Sequence, residues 1–121
     1  MVKGVGIDLV EIDRIKKALD RWGSLLERRI LTPVEIELKE RTKDMATFLA
    51  GRFAAKEAVF KSLGISPCWH YVSILRGERG EPKVSLSGKI LEYTEKKNIK
   101  KILVSISHSK RYAIAQAITL G

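Results

Sequence analysis

The sequence predicts an α+β fold in which a mainly antiparallel sheet packs with one long central helix. Three observations carry this expectation. Apolar residues recur at helical spacing through 9–22 and 45–63, whereas β-branched and apolar runs fill 71–75, 82–86, 101–106 and 112–120. No strand–helix–strand alternation joins the two groups, so a parallel, doubly wound sheet is not expected. A chain of 121 residues, 45% hydrophobic and 31% charged, is the size of one domain, 1–121, with a buried core.

Taken in order, residues 2–8 (VKGVGID) read as a strand whose Gly4 and Gly6 call for close approach of another backbone. Asp8 then falls where strand gives way to helix. Over 9–22, Ile12, Ile15, Leu19 and Trp22 mark an apolar face, and Arg14, Lys17 and Arg21 follow one another as a basic stripe. Such a stripe is ordinarily a solvated face. Gly23 stops the helix, and a short helical turn runs over 24–30. Thr32, Pro33 and Glu35 have the spacing of a capping box with proline at the first helical position, for a helix reaching about Arg41.

Asp44 is placed to cap the central helix, 45–63, and Gly64 to end it. One side of this helix carries Leu49, Phe53, Val59, Phe60 and Leu63, the other Ala50, Gly51, Ala54, Ala55, Ala58 and Ser62. Both sides should therefore be covered. Arg52 and Lys56 lie within the large apolar face, and Glu57 and Lys61 along its border. Lysine and arginine stems can lie on apolar surface with their heads in water. Glu57 with Lys61 has the spacing of an ordinary i,i+4 pair. The alternative is a helix that lines a site, with Glu57 holding a cation and the bases holding phosphate. Beyond it, 71–75 and 82–86 form a hairpin around Gly77 and Gly80, 87–97 a helix opened by Ser87 and closed by Asn98, and 101–106 and 112–120 two more strands. Residues 107–111, Ser107-His108-Ser109-Lys110-Arg111, connect the last pair.

Lys and Arg number 23 against 14 acids, a net charge of +9. That excess favours an acidic partner, whether nucleic acid, anionic membrane, phosphorylated metabolite or acidic protein. No run approaches membrane-spanning length, and the first residues, MVKGVGIDLVEI, hold too short an apolar run before their acids to be expected to act as a signal peptide. Cys68 stands alone, which excludes an internal disulfide and makes a reducing, cytoplasmic setting the expectation. The common nucleotide, hydrolase and zinc motifs are absent. What remains is Asp8, Glu57 with Lys61, and His108 with Ser109. If Asp8 and Glu57 converge, two carboxylates among many bases make an oxygen site suited to Mg²⁺, which completes its shell with water and substrate phosphates.

GIDLVEIDRI at 6–15, FLAGRFAAKEAVFKSLG at 48–64 and VSISHSKRYAIAQAI at 104–118 resemble the three signature blocks of the holo-(acyl carrier protein) synthase family, the short bacterial-type 4′-phosphopantetheinyl transferases. The blocks come in the family's order, and GEPKVSLSG at 80–88 matches its turn, strand and helix start. The resemblance implies transfer of 4′-phosphopantetheine from coenzyme A to a serine of apo-acyl carrier protein, with release of adenosine 3′,5′-bisphosphate. It implies Mg²⁺ on Asp8 and Glu57, with Lys61 on the phosphates and Lys56 as support. His108 and Ser109 match positions near the nucleotide and its 3′-phosphate, with Arg52 as a neighbour. Arg14 and Arg21 match the helix that meets the acidic carrier, and Lys17 lies between them. The family is typically a homotrimer with sites between protomers. This chain departs from it after the central helix, where Gly64-Ile65-Ser66-Pro67-Cys68-Trp69 holds fewer glycines and a proline. That loop should be stiffer, which bears on the path of the coenzyme A tail. The competing expectation, a small basic nucleic-acid-binding protein, draws on the net charge, but the strands lack the aromatic pairs on which bases stack.

Overall fold

The computed structural model describes residues 1–39 and 42–121. The elements are β1 (Val2–Glu11), α1 (Ile12–Trp22), α2 (Ser24–Ile30), α3 (Pro33–Lys39), α4 (Met45–Leu63), a 3₁₀ turn at Trp69–Tyr71, β2 (Val72–Arg76), β3 (Pro82–Leu86), α5 (Gly88–Lys96), β4 (Lys101–His108) and β5 (Tyr112–Leu120). β1, β5 and β4 form an antiparallel sheet in that order, and β2 with β3 a separate antiparallel hairpin. The α+β expectation holds. The predicted end of the third helix at Arg41 lies outside the described residues.

β1 is longer than its residue pattern predicts. It stays paired with β5 from Val2 to Glu11, and Ile12 then donates its N–H to the Arg111 carbonyl. Asp8 is therefore in mid-strand, opposite Ala115, and not at a strand end. β4 likewise continues through Ser107 and His108 because Ile114 and Ala113 remain opposite them. Both extensions come from pairing with β5, which lies far along the chain from β1 but only a short turn beyond β4.

Local signals placed the helix ends well. Thr32 Oγ1 accepts from the Glu35 N–H at 3.4 Å while Glu35 Oε1 accepts from the Thr32 N–H at 2.9 Å, the reciprocal capping box. Asp44 Oδ1 accepts from the Thr47 N–H at 3.1 Å, and Gly64 closes α4 at φ 69°. α4 is the core of the molecule. Leu49, Ala54, Ala55, Ala58, Val59 and Phe60 are fully buried, with the sheet on one side and α1–α3 and the β2–β3 hairpin on the other. Trp22, expected on the apolar face of α1, is instead more than half exposed at the helix end.

Candidate active site

The site begins with two glycines. On β1, Gly4, Gly6 and Asp8 alternate toward the face that meets α4. A Cβ on Gly4 would land on the Ser62 carbonyl oxygen, and one on Gly6 on the Ala58 carbonyl oxygen. Only bare strand backbone lets the helix lie this close, and the small helix residues match it from the other side. The residues just before the two contact points are Glu57 and Lys61, so the same contact that seats the helix delivers both beside β1.

Lys61 Nζ donates to the Ile7 carbonyl at 2.9 Å and to Asp8 Oδ1 at 3.2 Å. Its ion pair is with Asp8 across the fold, which corrects the ordinary i,i+4 pairing with Glu57. Asp8 Oδ2 is buried and has no hydrogen-bond partner among the described residues. Burial, and then the neighbouring Asp8 charge, push the Glu57 pKa up, with Lys61 drawing it partly back. One ammonium thus stands against two carboxylates, and an acceptor oxygen is left over. Both facts call for a further cation.

The residues fit Mg²⁺ as that cation. Two carboxylates and an orphaned oxygen suit a hard ion that keeps waters and takes its remaining ligands from phosphate. Among the described residues no cluster of three or more His, Cys, Asp or Glu could hold a metal by protein ligands alone. Beside Asp8 a cavity of about 380 Å³ is lined by Leu9, Val10, Arg14, Ile15, Phe53 and Tyr112. Arg14 is thereby joined to the acidic centre. Lys17, one turn on, pairs with Asp13 at 3.0 Å in the exposed manner of a solvated helix face, and Arg21 stacks over the Trp22 ring at 5.0 Å.

The other predicted residues lie apart from this centre. Arg52 precedes Glu57 by five positions and so points about 140° away from it around the helix. Its guanidinium packs 4.6 Å from the Phe48 ring centre, and its buried Nε has no partner among the described residues. Burial lowers its pKa, Glu35 partly restores it and the Arg76 charge lowers it again. His108 shares the inner face of the sheet with Asp8 but stands two strands across and two residues along. Ser109 Oγ accepts from the Arg111 and Tyr112 N–H groups at 3.3 and 3.2 Å and shapes the turn. Within one chain, then, Asp8, Glu57 and Lys61 converge, and Arg52, His108 and Ser109 do not join them.

Lys56 is no surface lysine with its stem laid on apolar groups. It is fully buried, 2.5 Å from Glu35 Oε1, and donates to the Ile30 and Trp69 carbonyls at 2.7 and 3.2 Å. Sequence reasoning missed this pair because the capping box already accounts for Glu35.

The model of the 4′-phosphopantetheinyl transferase superfamily matches residues 4–117. The holo-[acyl-carrier-protein] synthase of Aliivibrio fischeri is 41% identical over 121 residues, covering 97% of this chain and 96% of the relative. The crystal structure of holo-[acyl-carrier-protein] synthase from Neisseria meningitidis superposes with a TM-score of 0.95 at 26% identity, over 100% of both chains. The holo-(acyl-carrier-protein) synthase of Bacillus anthracis, solved in complex with CoA (3′,5′-ADP), has a TM-score of 0.80 at 33% identity, covering 98% of this chain and 96% of that one.

Proposed function

The chain belongs to the 4′-phosphopantetheinyl transferase superfamily and, within it, to the holo-(acyl carrier protein) synthases, and on that premise we propose how its residues divide the reaction. It moves 4′-phosphopantetheine from coenzyme A to a serine hydroxyl of an apo-acyl carrier protein in the cytoplasm. The serine hydroxyl releases its proton to water as its oxygen bonds the phosphorus bearing the pantetheine arm, the bridging P–O bond breaks, and adenosine 3′,5′-bisphosphate leaves with the bond's electron pair. Asp8 and Glu57 would hold Mg²⁺, which supplies Lewis-acid polarisation of the phosphoryl group when bound. Lys61 contacts the phosphates and offsets charge on the departing one. Arg14, Lys17 and Arg21 present positive charge to the acidic carrier, and the encounter they steer weakens with salt. The observation that carries this reading is the convergence of Asp8, Glu57 and Lys61 with one buried carboxylate oxygen left over.

Arg52, His108 and Ser109 serve the nucleotide end of coenzyme A, and the working unit is a homotrimer whose sites lie between protomers. Two observations support a shared site. Arg52 and Glu57 point to different sides of one helix, so one chain cannot bring both to a compact ligand. The outer face of β1 also leaves Val5, Ile7 and Leu9 more than half exposed, a row of aliphatic residues that suits cover by another copy. The same face argues against the nucleic-acid reading, since it is aliphatic where stacking platforms are aromatic.

Incubation with apo-carrier, coenzyme A and Mg²⁺ should raise the carrier's mass by one phosphopantetheine, read by mass spectrometry, and chelation should stop it. A carrier of unchanged mass would overturn the proposal.

A further inference from the structure

We propose that the Lys61 ammonium is a tethered counter-ion of Asp8, which competes with the divalent ion for that carboxylate and is drawn off by the phosphates of coenzyme A. Metal and coenzyme A then load cooperatively. The inference rests on the metal-site reading above and adds its regulation.

The geometry supplies each part. Lys61 Nζ is held by Asp8 Oδ1 and by the Ile7 carbonyl, two acceptors from adjacent positions of β1. Asp8 is thus already neutralised by a charge belonging to the chain itself. A divalent ion arriving at Oδ2 meets that ammonium across one carboxylate, and the two cations repel. The Lys61 side chain is 53% exposed against 16% for Asp8, so the lysine is the partner able to swing outward. Its three donors and flexible stem suit a phosphate as well as a carboxylate. Phosphates entering beside Asp8 offer it a stronger partner, and its departure returns both Asp8 oxygens to the metal.

By linkage, whatever factor coenzyme A adds to metal affinity, the metal adds to coenzyme A affinity. Such a device keeps the ion from settling firmly without the pyrophosphate it is to polarise. Lys56 has no such freedom, since its pair is wholly enclosed.

Mn²⁺ serves as a paramagnetic probe, its unbound fraction read by electron paramagnetic resonance with and without coenzyme A, on the full chain and on Lys61→Met, Lys61→Arg and Asp8→Asn. Without coenzyme A, Lys61→Met should bind Mn²⁺ about two- to fivefold more tightly than the parent, the scale of a half-exposed ion pair. Lys61→Arg, which keeps the charge, should not. With coenzyme A bound the advantage should vanish, because the parent lysine has already left Asp8. Equal affinities without coenzyme A would overturn the inference. So would an advantage that persists with coenzyme A, which marks a general field and not competition. If Asp8→Asn binds Mn²⁺ as well as the parent, the metal-site reading itself fails.

Discussion

Lys56 and Lys61 lie five positions apart on α4, and each pairs with a carboxylate from a distant part of the chain. At Lys56, both members of the pair are fully bonded. Glu35 takes its ammonium, the Thr32 N–H and the Ile74 N–H, and the Ile30 and Trp69 carbonyls take the rest, with both side chains 0% exposed. Around Lys61, the partners do not close: an Asp8 oxygen is left over, and Glu57 stands near with its pKa pushed up by burial and by Asp8. A saturated pair joins α2, α3, α4, the 3₁₀ turn and β2 and has no capacity for a ligand. An unsaturated one has too many acceptors for its single donor, and a site needs that surplus. Residue type does not separate the two cases, since both are one lysine facing a carboxylate. Completeness of hydrogen bonding separates them.

The largest expected effect comes from breaking the saturated pair. Lys56→Met leaves Glu35 charged and buried, and should lower the unfolding free energy by about 3–5 kcal/mol in urea titration. Adding Glu35→Gln should return part of that loss, since the glutamine keeps an acceptor for the Thr32 N–H without the buried charge. Lys61→Met removes an exposed donor and should move stability by under about 1 kcal/mol. Equal losses from the two lysine variants would break the distinction between them.

These contrasts also explain how much the sequence revealed. Signals carried within a few residues were legible: Thr32 with Glu35, Asp44 before α4, Gly64 after it. So were the glycines of β1 and the small face of α4, because two complementary requirements for close approach occur in one chain. The partners of the charged residues were not. Glu35 is fully explained by its cap, so nothing in its neighbourhood announces a second role with Lys56. Glu57 and Lys61 have a ready local pairing, and only the fold shows that Asp8 takes the lysine. The strand ends at Glu11 and His108 are both set by pairing with β5: for Glu11 the partner is far along the chain, and for His108 the polar run Ser107-His108-Ser109 reads as a turn although the first two remain paired.

The unsaturated side should show itself in turnover more than in stability. Asp8→Asn removes a carboxylate that Mg²⁺ would need, and should cut carrier modification by at least about 100-fold, because losing a direct ligand costs no less than losing a group that only supports one. Its urea midpoint should stay near the parent's. Arg52→Gln should also be poorly active, for want of the nucleotide contact. If sites are shared between copies, unfolding the two variants together and refolding them as mixed assemblies should recover a fraction of parental turnover, because some sites then combine an intact Asp8 with an intact Arg52. Recovery no greater than the sum of the separate variants would place the whole site within one chain, and the split between the faces of α4 would lose its meaning.

The smallest effect concerns Glu57 and has a definite sign. Its pKa is raised from 4.5, first by burial and next by Asp8, so the folded chain holds this proton more tightly than the unfolded chain does. Stability from that proton is fully present below the unfolded value and is lost as pH rises through the folded one. At neutral pH the ionised carboxylate is therefore a strain on the fold when no divalent ion answers it. Glu57→Gln carries no proton to lose. In chelated buffer it should melt slightly above the parent at neutral pH, with the difference closing as pH falls below the ordinary glutamate range. With coenzyme A present in both, adding Mg²⁺ should raise the parent's melting temperature further and the variant's much less, since only the parent keeps both carboxylates. A variant less stable than the parent at neutral pH would mean that Lys61 compensates Glu57 after all, and the acidic centre would then be as saturated as the pair at Lys56.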